Sequence, residues 1–375
     1  MRICDTLMNQ SHIYFHVLNI ILWQHYHDFV RLIHAMPDLA YLWNKAKPHE
    51  INRIGLPQSV LELFWEQKVK IHPEHEMEKI QKAGIELITI DQSNYPTLLT
   101  HIHAPPLILY LAGGTQSIWQ FTNFNWDKSI SIVGTRRPSP YGKIQTQEFT
   151  HALASENIIV VSGLAMGIDS IAHHTCTKVA KPTIAVLGSG LNNIYPWMNR
   201  KLAHSIIQTG GVMLSEFPPD TPPYAGNFPR RNRIVSGLSR GTLVIEGQTK
   251  SGSLITARFA LEQGREVWAI PSDITRPQSQ AGNFLISQSQ AQAVTSPEEI
   301  LDYYGIHRQD SGKNAISHDL SHEETRLLKV LEESPMNIDA LAQKTFQPVH
   351  LIHSTLSLLE LKNLISKDRD MFYIL

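Results

Sequence analysis

The sequence predicts an α/β protein built on one extended parallel sheet, with a helical segment ahead of the sheet and a small helix-and-hairpin module behind it. Three observations carry that expectation. Between about residues 128 and 300, short apolar runs alternate with helix-length stretches, at Ser129–Val133, Ile158–Val161, Thr183–Leu187, Val212–Leu214, Thr242–Ile245 and Glu266–Ile270. Ahead of them, apolar residues recur every three or four positions through "FHVLNIILWQHYHDFVRLI" and "SVLELFWEQKVKI", the period of a helix that buries one face. Behind them, the polar stretch "IHRQDSGKNAIS" gives way to three helical segments and two strand-like runs.

The first segment opens on its most apolar run, "IYFHVLNIILW" from Ile13 to Trp23. His16 and Asn19 interrupt it, and it falls short of the roughly 20 apolar residues a spanning helix needs. No small-residue cleavage site follows, and Asp5 spoils a basic leader. It is expected to be the core face of a soluble helix, in a cytoplasmic protein with no membrane contact. Pro48 and Pro57 mark helix starts or loops. "EKIQKAGIELITIDQSNYPTLL" reads as a helix, Gly84 as its C-cap, a strand at Glu86–Ile90 and a turn. "PPLILYLAGG" adds another strand.

Strands spaced as they are in the middle segment imply βαβ units and a parallel, Rossmann-like sheet with helices on both faces. In the last segment "SHEETRLLKVLEES" begins with a serine cap and an acid three residues later. "NIDALAQKT" and "QPVHLIHSTLSLLELKNL" follow, then "ISKDRDMFYIL" as two strands around a turn. That order is the plan of a winged-helix domain. The expected organisation is a helical (SAM-like) N-terminal domain with a short α/β extension over 1–115 and a Rossmann-like domain over 116–305. A linker over 306–317 and a winged-helix domain over 318–375 complete it.

At 375 residues the chain is long enough for two or three domains. Its formal net charge of −1 excludes a global field towards nucleic acid or membrane, so any anion-binding surface is local. Cys4 and Cys176 stand far apart, which suits a reducing compartment and no disulfide scaffold. The nineteen histidines are scattered without a metal-binding spacing. No cofactor or metal is called for.

Ligands of an open α/β sheet bind beyond the carboxyl ends of its strands. Here the first three strands run into "GTRRPSPYG" (Gly134 to Gly142), "SGLAMGID" (Ser162 to Asp169) and "GSGLNNIYP" (Gly188 to Pro196). Glycine lets backbone approach a bound group, and the following helix start favours negative charge; glycine there is also ordinary turn chemistry. None of the loops matches G-x-G-x-x-G, and "GQTKSGS" lacks the spacing of a phosphate-binding P-loop. From Phe228 the stretch "FPRRNRIVSGLSR" places Arg230, Arg231, Arg233 and Arg240 together without an acid between them. A solvated helix face is a poor reading of such a run, because nothing local pairs with it. Asp169 and His173, four apart, share a helical face, either as an acid/base pair or, more simply, in structural hydrogen bonds. Glu216 and Glu246 end strands with no visible partner.

Taken in order, "IVGTRRPSPYG", "VVSGLAMGIDSIAHH", "AVLGSGLNNIYPWMN", "LSEFPPDTPP", "NFPRRNRIVSGLSRGTLVIEG" and "KSGSLITARFALEQGREVWAIP" resemble the DNA-processing protein A (DprA/Smf) family. The tail is similar to the winged-helix module many members carry. The resemblance implies a single-stranded DNA-binding protein, not an enzyme, that protects incoming DNA in natural transformation and recombination. It implies RecA as the recombinase loaded on that DNA, and a homodimer formed through the Rossmann-like domain. On the matching positions it implies a DNA groove made by Gly134, Arg136 and Arg137, by Ser162 and Gly163, and by Gly188 and Gly190. Arg230, Arg231 and Arg233, with Lys250 and Ser253, would complete it, and no residue is catalytic. Tyr141, Tyr195, Trp197 and Phe228 sit in these loops as candidate stacking surfaces, with core packing as the plain alternative. The alternative function is a nucleotide-processing enzyme of the nucleoside-monophosphate phosphoribohydrolase type, whose P-G-G-x-G-T loop is missing here. The third helix of the tail carries His350 and His353 but no arginine, so protein docking suits it better than reading DNA.

Overall fold

The computed structural model describes residues 2–122, 124–249, 251–307, 321–362, 364–368 and 371–374. Contacts divide the chain into two units, Met1–His307 and Arg308–Leu375. The first opens with six helices: α1 (Arg2–Leu22), α2 (Tyr26–Ala35), α3 (Leu39–Asn44), α4 (Pro48–Asn52), α5 (Gln58–Lys70) and α6 (Pro73–Lys82). Leu18 and Leu22 of α1 meet Phe29, Trp43 and Phe64 in one apolar cluster. The two polar residues that interrupt this run have partners far along the chain. His16 Nδ1 lies 2.8 Å from the Tyr110 hydroxyl, and the Asn19 amide donates to that hydroxyl and to the Glu216 carbonyl, both at 3.2 Å.

Next come β1 (Ile85–Thr89), α7 (Thr97–Thr100), β2 (Ile108–Ala112) and α8 (Thr115–Thr122). Strand and helix then alternate through β3 (Ser129–Val133), α9 (Pro140–Ser155), β4 (Ile159–Ser162), α10 (Ile168–Lys178), β5 (Thr183–Val186), α11 (Arg200–Gln208) and β6 (Val212–Ser215). The alternation continues with α12 (Asn227–Gly237), β7 (Gly241–Val244), α13 (Gly252–Glu262), β8 (Glu266–Ala269), α14 (Gln280–Ser287), β9 (Gln292–Ala293) and α15 (Pro297–Tyr303). All six strands expected in the middle segment are present, within a residue or so at each end.

These strands form one nine-stranded sheet in the order β1-β2-β6-β5-β4-β3-β7-β8-β9. From β6 to β9 every pairing is parallel, while β1–β2 and β2–β6 are antiparallel. The sheet therefore runs across residue 115, the expected edge of the N-terminal domain. Strands β3, β5, β6 and β7 are buried along their whole length, and β4 from its second residue on, as expected of parallel strands covered on both faces. From β3 the chain steps outward to β6, then returns to add β7 on the other side of β3. The strand order reverses between β3 and β7, and a crevice opens at their carboxyl ends.

The second unit has α16 (His322–Glu333), α17 (Ile338–Thr345), α18 (Val349–Leu361), and the antiparallel pair β10 (Ile365–Asp368) and β11 (Met371–Ile374). Ser321 and Glu324 form the expected capping box at the start of α16. Leu327, Leu341, Ile352, Leu356 and Phe372 make a separate core. This is the winged-helix arrangement, and α18 exposes Val349, Leu351 and Leu358 rather than cations. From residue 308 on, the expected linker lies outside the described residues. Among the described residues no helix is long and apolar enough to cross a membrane.

Candidate nucleic-acid interface

The crevice at the reversal point is an open cleft of about 880 Å³. One wall is the turn after β3. Glu246, which follows β7, accepts from the backbone N–H (2.9 Å) and hydroxyl (2.5 Å) of Ser139, while its carbonyl accepts from Thr135 N at 2.7 Å. These bonds hold the turn between β3 and α9, on which Arg136 and Arg137 stand exposed. Among the described residues no acid pairs with either of them. The second wall is the start of α13, with Ser251, Gly252 and Ser253; a helix start presents unpaired N–H groups and a partial positive charge. The third is aromatic, where the rings of Tyr195 and Phe228 meet at 5.5 Å. Asn232, Gln248 and Gln278 also line the space, and nothing in their local sequence had pointed to them.

Helix α12 divides the arginine run between two jobs. Phe228, Arg231, Asn232 and Val235 fall at helical spacing on the cleft side. Arg231 is only 4% exposed. Its guanidinium donates to the carbonyls of Gly163, at 2.6 Å, and Val186, closing the ends of β4 and β5. Burial holds it down to about 10, with the nearby Asp169 carboxylate favouring its charge. Asp169 is pushed up by burial, while Arg231 and the N–H groups of Gly163 (3.1 Å) and Ala165 (3.4 Å) act the other way.

Arg230 and Arg233 point elsewhere. Both reach the carboxylate of Glu216 beyond β6, at 3.2 and 2.6 Å. Arg230 also donates to the Trp23 carbonyl at 2.7 Å and lies 5.5 Å over the Phe217 ring. Neither residue lines the cleft. The acid that seemed absent from their surroundings is 14 and 17 residues upstream, brought in by the sheet. Replacing Glu216 with Gln keeps the shape but leaves the buried Arg233 a neutral partner. That change is expected to cost about 2 kcal/mol in urea unfolding; a loss below a few tenths would show the pair to be idle.

Several glycines and serines expected at the cleft serve packing. The Ser162 hydroxyl is buried and donates to the Ile132 carbonyl at 2.7 Å. A Cβ on Gly188 would sit 2.7 Å from the Phe228 ring, and one on Gly163 would sit 2.6 Å from the Arg231 guanidinium. A Cβ on Gly190 would run into the Pro218 and Pro219 carbonyls. Backbone does approach closely here, to α12 and the proline loop. Of the twelve expected residues, Gly134, Arg136, Arg137, Gly163, Arg231 and Ser253 border the cleft. Ser162, Gly188, Gly190, Arg230 and Arg233 do not, and Lys250 lies outside the described residues.

The acid/base candidates separate. Asp169 is held by two backbone N–H groups, and His173 Nδ1 by the Thr183 hydroxyl at 2.9 Å. No group of three metal-ligating side chains occurs among the described residues.

Comparison with known proteins gives the family. The family model described as DNA recombination-mediator protein A matches residues 86–305, more than half of the chain. The chain belongs to that family. A second model, the DprA winged helix domain, matches residues 312–369. Protein Smf of Escherichia coli is 37% identical over 350 residues, covering 90% of this chain and 89% of that one. DNA processing protein DprA of Bacillus subtilis is also 37% identical, over 71% of this chain and 90% of its own. Among solved structures, DNA processing protein A of Streptococcus pneumoniae aligns with a TM-score of 0.65 and 30% identity, over 77% of this chain and 97% of that one. The same protein from Helicobacter pylori, whose structure is described for its single-stranded DNA binding mode, aligns with a TM-score of 0.51 and 31% identity. That alignment covers 58% of this chain and 95% of that one.

Proposed function

We propose that this family member binds single-stranded DNA in the cleft at the carboxyl ends of β3 and β7, and passes it to a RecA-type recombinase during DNA uptake and recombination. The observation that carries the reading is the pair of exposed arginines, Arg136 and Arg137, which have no acid partner among the described residues and line one cleft with a helix start and two aromatic rings. A single strand offers spaced phosphates and open base faces, so its binder needs a cationic groove with stacking surfaces. Phosphates go to Arg136, Arg137 and the N–H groups opening α13; Phe228 and Tyr195 take bases. Arg231 acts from beneath, holding the loops after β4 and β5. The Smf and DprA relatives and the DNA-binding Helicobacter structure support this role. The Rossmann-like part, 116–305, is assigned to DNA and to homodimer formation, with 1–115 and 318–375 as accessory domains. No catalytic step is assigned. Among the cleft's described residues the sole carboxylate is Asp169, which is engaged in holding a turn.

Fluorescence anisotropy with labelled oligothymidine and an equal duplex, over a salt series, tests the proposal. Each lost phosphate contact lowers the log–log salt slope by about 0.7. Arg136→Ala/Arg137→Ala is therefore expected to weaken single-strand binding and reduce the slope by about 1.4. Equal slopes in both proteins would remove these arginines from the site.

A further inference from the structure

Beyond the cleft, the loop after β5 carries an exposed apolar ledge. Tyr195 lines the cleft, and two residues on, Trp197 is 71% and Met198 57% exposed. Such a tryptophan is unusual on a monomer surface, since large aromatics are normally well buried. The ledge is not loosely hung. The Asn199 side chain donates to the carbonyls of Leu164 (2.8 Å) and Ala165 (3.4 Å), tying this loop to the one after β4. That second loop carries Met166, itself exposed. Directly after the ledge come Arg200 and Lys201, both exposed at the start of α11. Neither has an acid partner among the described residues, and the sequence holds no Asp or Glu from Gly188 to Ser215.

We propose that the single strand does not stop in the cleft but continues over Tyr195 on to this ledge, its bases stacking on Trp197 and Met198 and its phosphates meeting Arg200 and Lys201. This rests on the cleft being a single-strand site. The argument for that occupant is continuity and charge. Tyr195 belongs to both surfaces, and cations without acids beside an exposed indole form the combination that a polyanion with open π-faces recognises. The turn after β3 and the loop after β5 leave strands that lie two spacings apart, about 10 Å. One strand crossing the carboxyl ends of β3, β4 and β5 in turn can reach both.

The test is binding of labelled oligothymidines from about 4 to 16 nucleotides, the range of single-strand sites, to wild type, Trp197→Ala, Arg200→Ala/Lys201→Ala and Arg136→Ala/Arg137→Ala. In wild type, affinity should climb with length. In Trp197→Ala that climb should be reduced, leaving the longest oligonucleotide about 5- to 150-fold weaker with an unchanged salt slope. Arg200→Ala/Lys201→Ala should lower the slope for long oligonucleotides. An oligonucleotide with full phosphates but no bases at its outer positions should show on wild type the same reduced climb that the complete one shows on Trp197→Ala. If Trp197→Ala follows wild type at every length, the ledge is not on the DNA path; a changed oligomeric state in that variant would then identify it as a protein-contact face. Because Trp197 is exposed, an unaltered melting temperature is expected and separates lost contact from lost fold. The two failures are distinguishable. Unchanged affinity and salt slope in Arg136→Ala/Arg137→Ala sinks the cleft reading and the ledge with it, whereas binding that is weakened in that variant but insensitive to Trp197 sinks the ledge alone.

Discussion

Arg231→Ala is expected to cost about 3–5 kcal/mol of folding stability, the range for stripping one partner from a buried charge pair. The guanidinium is nearly inaccessible and donates to two strand-end carbonyls, of Gly163 and Val186. Alanine leaves those carbonyls without a donor, leaves Asp169 buried without its nearest cation, and opens a void. Lysine would restore only part of the arrangement: both carbonyl bonds leave one nitrogen, Nη1, which an ammonium can imitate, but an ammonium has no counterpart to Nε, which donates to the Asn232 side-chain oxygen at 3.2 Å. Urea unfolding reads the loss directly. Two companion variants isolate the cause. Adding Asp169→Asn to Arg231→Ala should cost less than the separate losses combined, since the stranded charge is then gone. Gly163→Ala should destabilise wild type, where its Cβ would lie 2.6 Å from the guanidinium, and become much milder once Arg231 is alanine. Independent, additive effects would mean that Arg231 does not organise these turns, and single-strand binding should then survive its loss.

Much of the fold was legible because its signals are local. A parallel strand buried on both faces is a short apolar run, and glycine- or proline-bearing turns set these runs apart from the helices between them, so the six strands of the middle segment stand out at nearly their true limits. The capping serine of α16 is equally local. What the sequence hides is pairing across the sheet. The four arginines after Phe228 seemed uncompensated because their acids are upstream, Glu216 on a different strand end and Asp127 beside Arg240 at 3.4 Å. Only folding shows that Arg230 and Arg233 turn to it while Arg231 turns the other way. The glycines after β4 and β5 were equally ambiguous. A missing Cβ leaves room for a ligand or for another side chain, and here the neighbours are Arg231 and Phe228. His16 and Asn19, read as flaws in an apolar run, answer a tyrosine more than 90 residues away. The cleft's arginine pair was readable because its turn is contiguous in sequence; Asn232, Gln248 and Gln278 were not, since three separate elements bring them together.

Mild acid should destabilise the first unit well before carboxylates are protonated. Burial pushes the His173 imidazole down to about 3, with the Arg231 guanidinium adding to the effect, and pushes His16 down to about 4. In the unfolded chain both return to about 6.5. Below that value the unfolded state takes up protons that the folded state refuses, so stability is complete above about pH 6.5 and falls as the pH drops towards the folded values. Near pH 5 each histidine accounts for roughly 2 kcal/mol of loss. Asp169 works in the opposite sense, because its folded value is raised and its stabilisation is lost as the pH rises through it. Urea unfolding at pH values from about 7.5 to 5 measures the sum. His173→Asn keeps a donor for the Thr183 hydroxyl that His173 Nδ1 now meets at 2.9 Å, yet cannot titrate. It should flatten the profile by roughly 2 kcal/mol near pH 5 while lowering stability at neutral pH through lost packing. His16→Asn should do the same through the Tyr110 hydroxyl. If both single variants keep the wild-type slope, the acid sensitivity lies in other groups, and these two imidazoles must already be open to protons in the folded protein.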